Sequence, residues 1–80
     1  MLEKLDDARK VVGTRRLLKA LAAGEIARVY LADDADMFIR TQVQEACEKA
    51  GVKLTIVPEM SELGKACGVD VKTAAAGLRK

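Results

Sequence analysis

The chain has 80 residues, of which 50% are hydrophobic, and a formal net charge of +2. This length is typical of one small domain, and a chain of this size buries only about 60–65% of its unfolded surface. We therefore expect a single domain over residues 1–80, with no room for a large enclosed active site. The aromatic residues are Tyr30 and Phe38, so the core is expected to consist of Ala, Val, Leu and Ile.

Residue types that are absent or sparse exclude several classes of protein. The sequence has no histidine, which excludes a His-dependent catalytic triad, a His-ligated zinc site and the usual neutral-pH proton shuttle. Cys47 and Cys67 show neither CxxC spacing nor the density of a disulfide scaffold, so we expect two reduced, buried thiols. We expect no cofactor and no metal site.

The sequence carries no signal for membranes or secretion. A membrane-spanning helix needs about 20 mostly apolar residues, and no stretch of that length here is free of charge. The first ten residues hold three acids and three bases, unlike a secretory signal. We expect a cytoplasmic protein that does not bind membranes.

The charges are unevenly distributed along the chain. Residues 1–28 carry seven bases and four acids, residues 33–62 carry three and seven, and residues 63–80 carry four and one. Five bases and no acid lie between Arg9 and Lys19, both included. This pattern indicates that one end of the fold faces an anionic partner.

The first half of the chain is divided by Gly24, which follows a helix-like stretch at the position that favours a left-handed C-terminal cap. Leucines at i, i+1 and i+4 before this glycine predict an amphipathic helix that begins near Gly13 or Thr14. The run rich in Val, Tyr and Leu after the glycine is long enough only for a strand. The predicted elements are a helix over residues 2–8, a strand at 11–12, a helix over 14–23 and a strand over 27–32.

The second half is predicted to continue with a helix, a strand and a short helix. Asp36 can cap the first of these, which ends before Gly51. Residues 53–57 are rich in β-branched side chains and stop at a proline, as expected of a buried strand parallel to the previous one. Ser61 opens the short helix, which ends at Gly68. The apolar face of the longer helix is predicted to consist of Ile39, Val43, Ala46, Cys47 and Ala50.

The sequence lacks the spacing of the common nucleotide-binding motifs and of the EF-hand calcium loop. The glycine-bearing stretches lack the spacing of a P-loop and of a Rossmann fingerprint, so neither device for nucleotide binding is expected. Asp33, Asp34 and Asp36 could hold Mg²⁺, but they lack the EF-hand spacing, its glycine and its distal Glu. We interpret them as a loop after a strand, with one helix cap.

The stretch VVGTRRLLK is more informative. If Gly13 ends a strand and Thr14 starts a helix, the backbone amides of the first turn point outward and can meet a phosphate or a base-edge acceptor. Arg15 and Arg16 lie on that turn and Lys19 lies one turn further along, so the three can form a patch that contacts a nucleic-acid backbone. The alternative is a solvated helix face.

The stretch LGKACGVDV adds a second candidate element. It combines a short helix that carries Lys65, a cap at Gly68, and two small apolar residues, Val69 and Val71, with Lys72 beside them. A loop valine that serves no helix or strand is either a plug in the core or part of a contact surface.

Four segments together resemble the L-seven-Ae family of ribosomal and kink-turn RNA-binding proteins, most closely its short bacterial ribosome-associated members. The resemblance covers nearly the whole chain. Its most specific part is ELGKACGVDV at residues 62–71, because the family shows LGKA, a small residue, glycine, and then an apolar-acidic-apolar loop. The other segments are GTRRLLKAL at residues 13–21, RVYLADDAD at 28–36 and GVKLTIVP at 51–58.

The resemblance implies an α/β fold, a three-layer α-β-α sandwich with a mixed four-stranded sheet. Residues 74–78, whose composition alone suits either a helix or a strand, would form the last strand. The family binds kink-turns, which are sharply bent RNA internal loops with tandem sheared G·A pairs. The start of the second helix enters the major groove at those pairs, and the apolar loop covers flipped-out bases. The implied RNA-binding residues are Gly13, Thr14, Arg15, Arg16, Lys19, Lys65, Val69, Asp70, Val71 and Lys72.

One pair of residues departs from the family pattern. Archaeal and eukaryotic members have Asn-Glu where this chain has Arg15 and Arg16. A carboxylate accepts hydrogen bonds from guanine amino groups, whereas a guanidinium only donates, for instance to guanine O6 and N7 or to phosphate. RNA affinity is therefore expected to depend more on charge and to fall steeply with salt.

The sequence thus predicts a monomeric, non-enzymatic protein that binds and stabilises kink-turn RNA, on the ribosome or in an mRNA leader. The alternative is a protein-interaction module on the same fold, with weak and non-specific RNA binding. A small enzyme would need a deep cleft that contains Cys47 or the carboxylates of residues 33–36.

Overall fold

The computed structural model describes residues 9–69 and 71–80, in which every predicted element is present with bounds shifted by at most one or two residues. The helix predicted over residues 2–8 and the site residue Asp70 lie outside the described residues. Within the described ranges, no helix is long and apolar enough to cross a membrane. The elements are β1 (Lys10–Val12), α1 (Thr14–Ala22), β2 (Ile26–Ala32), α2 (Met37–Ala50), β3 (Lys53–Val57), α3 (Met60–Ala66) and β4 (Ala75–Arg79).

The described strands form one mixed sheet of four strands in the order β1-β4-β2-β3. β2 and β3 are parallel and joined by α2, as their spacing predicts, while β4 is antiparallel to both β1 and β2. The prediction that β3 is buried is wrong. It is an edge strand, in which Val57 is buried but Ile56 is 49% exposed, because a strand with one neighbour lies at the rim of the layers that cover the sheet.

Helices cover both faces of the sheet, which gives three layers. α1 and α2 pack on one face, where Leu17, Val29 and Val43 are fully buried. α3 packs on the other face, where Leu63 is fully buried in the same cluster as Tyr30. The predicted α-β-α sandwich with a mixed four-stranded sheet is confirmed, and the described core is mainly aliphatic as expected, with this tyrosine and the two cysteines in addition.

The apolar face predicted for α2 is confirmed except at its C-terminal end. Val43 and Cys47 are buried, and Ile39 and Ala46 pack against the same cluster. Ala50 is exposed, because it is the last residue of the helix and lies beyond the edge of that cluster.

The three glycines predicted to follow helices all have left-handed backbone conformations. Their φ angles are 73° at Gly24, 67° at Gly51 and 75° at Gly68. Residues with a side chain adopt this conformation at a cost of roughly 1–2 kcal/mol, so glycine is favoured where the chain turns out of a helix.

The acidic loop after β2 supplies N-terminal hydrogen bonds to two helices. The Asp36 carboxylate accepts from the amide of Phe38 at 2.9 Å and caps α2, as predicted. The Asp34 carboxylate accepts from the amide of Met60 at 2.7 Å, and α3 begins at that residue. The prediction that Ser61 opens α3 is therefore wrong by one residue, because the acceptor for the first turn comes from a distant loop rather than from a neighbouring side chain.

Replacing Asp36 by alanine is expected to lower the free energy of unfolding by about 1 kcal/mol, because the first turn of α2 loses its side-chain acceptor. Asp36→Asn keeps an acceptor oxygen and is expected to unfold almost as the unmodified protein does. Urea unfolding of the two variants checks this, and an equal loss in both would assign the effect to the charge instead of the cap.

Candidate nucleic-acid interface

The connections that contain the predicted site meet at one end of the sheet. The amide of Gly13, just before α1, donates to the carbonyl of Ala75 at 3.1 Å, and the amide of Ala32 donates to the carbonyl of Ala74 at 2.9 Å. These bonds join the end of β1 and the end of β2 to the start of β4. We call this region, which carries the start of α1, the β2–α2 loop and the α3–β4 loop, the loop end of the sheet.

α1 starts at the loop end without a side-chain cap. Gly13 has a φ of 104° and a ψ of 141°, which suits glycine and turns the chain from β1 directly into the helix. The first turn contains no acidic residue, and the amide of Leu17 donates to the carbonyl of Gly13 at 3.0 Å. The amides that precede Leu17 have no acceptor within the helix, and together with the helix dipole they favour an anion at this position.

The basic side chains predicted for this helix are all at the surface. Arg15, Arg16 and Lys19 are exposed, and Thr14 is half-buried. Arg16 and Lys19 line the same shallow groove, of about 350 Å³, whereas Arg15 does not line it. The structure thus brings two of the three bases together and leaves Arg15 exposed on the first turn.

The α3–β4 loop presents one apolar side chain to solvent. Val71 is 69% exposed, whereas Val69 is half-buried and packs against the core on the α3 face. Of the two alternatives for the loop valines, the core plug applies to Val69, while the side chain of Val71 is exposed. Both valines line a groove of about 230 Å³ together with Lys65 and Lys72, which are exposed.

A close approach of backbone to backbone holds this loop against α3. A Cβ atom at Gly64 would collide with the carbonyl oxygen of Val71 and lie 3.5 Å from Oγ1 of the buried Thr73. The amide of Val69 donates to the carbonyl of Gly64 at 3.0 Å, and the amide of Thr73 donates to the carbonyl of Met60 at 3.1 Å. The position of Val71 is thus determined by contacts with the helix that precedes it.

The acidic residues of the β2–α2 loop are engaged by protein groups, and the apolar residues that follow them are exposed. Asp33 forms an ion pair with Arg40 at 3.4 Å, and the other two acids bind helix amides. Met37 and Phe38 are 71% and 69% exposed. The sequence reasoning did not identify this apolar pair, although the helical period could have, because Phe38 is out of phase with the buried Val43.

Two thiols are buried, and an apolar groove lies between α1 and α2. Cys47 and Cys67 are free and buried, and desolvation raises the pKa of both thiols, an effect that the nearby Lys10 ammonium partly offsets at Cys67. A groove of about 450 Å³ between α1 and α2 is lined by aliphatic residues, Gly24 and Lys49. In the described ranges, no three His, Cys, Asp or Glu side chains are grouped as metal ligands would be.

Proteins with similar sequences and structures are named for RNA binding. The RNA-binding protein TTE2299 of Caldanaerobacter subterraneus subsp. tengcongensis is 41% identical over 68 residues, which cover 85% of this chain and 83% of that protein. The RNA-binding protein YbxF of Geobacillus stearothermophilus is 42% identical over 77 residues, which cover 95% of this chain and 94% of that protein. The structure of a Giardia lamblia 15.5kD RNA binding protein is similar with a TM-score of 0.84 and 33% identity, over 90% of this chain and 61% of that protein.

The match to a family spans the whole sequence. The ribosomal protein L7Ae/L30e/S12e/Gadd45 family is matched over residues 1–80, in agreement with the resemblance found in the sequence segments. Bacterial relatives about as long as this chain share more than a third of its residues, and the fold is similar to that of the Giardia lamblia protein. The chain belongs to the ribosomal protein L7Ae/L30e/S12e/Gadd45 family.

Proposed function

We propose that this chain is a cytoplasmic, non-enzymatic RNA-binding protein that recognises and stabilises kink-turn RNA with tandem G·A pairs. One observation carries the proposal: the uncapped, basic start of α1 and the exposed Val71 lie at the same end of one sheet, joined through the bond from Gly13 to Ala75. The RNA-binding names of the relatives support the same conclusion.

The two parts of the interface would meet different features of the RNA. The amides and guanidinium groups at the start of α1, with Arg15 and Arg16, donate to phosphate oxygens and to guanine O6 and N7 in the widened major groove. Val71 covers an unstacked base, while Val69 supports the loop from below. Lys19, Lys65 and Lys72 face phosphates. Asp70, the remaining residue of the loop motif, is also proposed to take part in RNA binding.

The proposed mechanism is a shift of a conformational equilibrium and involves no chemical step. A protein that prefers the kinked form of an RNA increases the population of that form by its differential affinity for the two forms. Contacts from two separate elements, α1 and the α3–β4 loop, support such a preference, because a form of the RNA that meets both is bound more tightly than a form that meets only one.

A gel-shift titration tests this function with a kink-turn RNA and a matched RNA whose tandem G·A pairs are replaced by Watson–Crick pairs. We expect the kink-turn to bind as a complex with one protein and roughly 10–100-fold more tightly than the matched RNA. Equal affinity for both RNAs would reject specific recognition. Sequencing of RNA that copurifies with the protein identifies the natural target and tests whether it is ribosomal.

The second candidate function is a protein-interaction module on the same fold, and the exposed pair of Met37 and Phe38 favours it. Under this alternative, RNA binding is weak and indifferent to the bend, and Arg16→Glu leaves the protein partner bound. Equal, weak binding of the kink-turn and its matched RNA, together with loss of a copurified protein in a variant with Ala at both apolar positions, would support the module over the RNA-binding function.

A further inference from the structure

A second basic feature continues from the proposed RNA site toward the opposite end of the sheet. The groove of about 350 Å³ beside α1 is lined by Arg16, Lys19 and Arg79, with Glu25 as the acidic residue at its far end. Two of these bases belong to the helix already assigned to the RNA site. Arg79 comes from the last residue of β4, and neither the sequence motifs nor the family resemblance assigns it a role.

The groove has a direction, because α1 and β4 run side by side. At the loop end, the amide of Gly13 donates to the carbonyl of Ala75 at 3.1 Å, and at the other end the amide of Lys80 donates to the carbonyl of Glu25 at 2.9 Å. Arg79 is therefore about 13 Å further from the loop end than Ala75, at the usual rise of a strand. Basic side chains thus follow one another from the start of α1 to the far end of the sheet.

The charge in this groove is available to a ligand. Nε of Arg79 lies 3.7 Å from Oε1 of Glu25, and the two side chains are 51% and 54% exposed. An ion pair with this degree of exposure contributes little to stability, so the guanidinium can turn to a phosphate at small cost. The groove contains three basic residues and one acidic residue. The rest of its lining consists of alanines, whose small side chains leave room for the phosphate backbone of a nucleic acid.

We propose that this groove binds the phosphate backbone of an RNA helix that leaves the bend, so that the footprint on the RNA extends along α1 beyond the kink. The inference rests on the proposed function and deepens it, because it names the RNA element that the second half of α1 contacts. Arg79 donates to this backbone, and Glu25 repels it.

Two single substitutions on opposite sides of the same ion pair test the proposal. Arg79→Gln and Glu25→Gln each break the pair and are expected to have similar, small effects on unfolding, but opposite effects on RNA. Arg79→Gln is expected to weaken binding about threefold to tenfold and to reduce the slope of log K against log salt by about 1. Glu25→Gln is expected to strengthen binding by a similar factor.

The RNA series distinguishes this groove from the bend itself. The kink-turn is prepared with either flanking helix extended by a full turn, and with both helices shortened to a few base pairs. The weaker binding of Arg79→Gln and the tighter binding of Glu25→Gln should appear when one particular helix is extended and should vanish with the short RNA. The control is Lys49→Gln, on α2 outside the groove, which should bind all of these RNAs as the unmodified protein does. An unchanged affinity in Arg79→Gln, or equal losses on long and short RNA, would overturn the proposal.

Failure of this inference and failure of the proposed function give different results. If the short kink-turn is still preferred over its G·A-replaced control while helix length has no effect, the function stands and the groove has no role. If affinity depends on helix length but not on the G·A pairs, the groove binds RNA helices and the proposal of specific kink-turn recognition is rejected.

Discussion

Reversing the charge of both arginines on the first turn of α1, by Arg15→Glu together with Arg16→Glu, is expected to lower the affinity for kink-turn RNA by about 100-fold or more. Each guanidinium that contacts a base or phosphate contributes roughly 1–3 kcal/mol, and the new carboxylates add repulsion. The new carboxylates also lie on the exposed first turn of α1, which has no acidic residue in the unmodified protein. Because they place negative charge beside the unpaired amides of that turn, the amides attract an RNA phosphate less strongly. Titration at two salt concentrations measures the loss.

The matched control is Lys49→Glu with Lys53→Glu, which changes the net charge by the same amount. These exposed bases lie at the end of α2 and the start of β3, at the opposite end of the sheet from the loop end. We expect a loss no greater than about tenfold in this control, because only long-range attraction is reduced. If both double variants lose affinity equally, the RNA is attracted by overall charge and the start of α1 is not its site.

Gly64→Ala is expected to lower the free energy of unfolding by about 2 kcal/mol, a large share of the total for a chain of this size. In an open helical position the same change raises helix stability by about 1 kcal/mol, so the expected effect has the opposite sign. The reason is the collision of the new Cβ with the carbonyl oxygen of Val71, which only a displacement of the α3–β4 loop relieves. The displaced loop is expected to weaken kink-turn binding as well.

Urea unfolding and RNA titration of the same sample check both parts of this prediction. Ser61→Ala, in the same helix, adds no Cβ against the carbonyl of Val71 and serves as the control for unfolding only, because Ser61 lines the groove with Val71. The expected change in its free energy of unfolding is within about 0.5 kcal/mol. A Gly64→Ala variant that is more stable than the unmodified protein would show that the loop is free to move from α3, and Val71 would then lose its defined position.

Most of the elements could be predicted because the signals that define them are local. The cap at Asp36, the left-handed turn at Gly51 and the period between Val43 and Cys47 each depend on residues within one or two turns of one another. The bounds of β3 followed from its composition and the proline after it. Its place at the edge did not, because edge or centre depends on which strands pair, and the last strand of the chain inserts between β1 and β2.

The candidate site also has parts that the sequence predicts and parts that only the folded structure reveals. The basic start of α1 and the loop with Val69 and Val71 are contiguous in the chain, so sequence reasoning could find them. It could not separate the two valines, since both flank one residue and only the packing on α3 buries the first and exposes the second. It also gave no reason to connect Arg79 with Arg16, which lie near opposite ends of the chain and share a groove only in the folded sheet.

The sequence by itself thus determined the family, the basic surface of α1, and the type and order of the elements, with β4 assigned only through the resemblance to that family. Caps, helical periods and glycine turns are interactions over a few residues, so their signals are present in the chain before any tertiary contact forms. Tertiary structure decided which groups complete each other across the chain. Asp34 supplies the acceptor for the first amide of α3, 26 residues away, and Gly64 admits the carbonyl of Val71. Such contacts exist only after the sheet order is set, because only then do the distant segments meet.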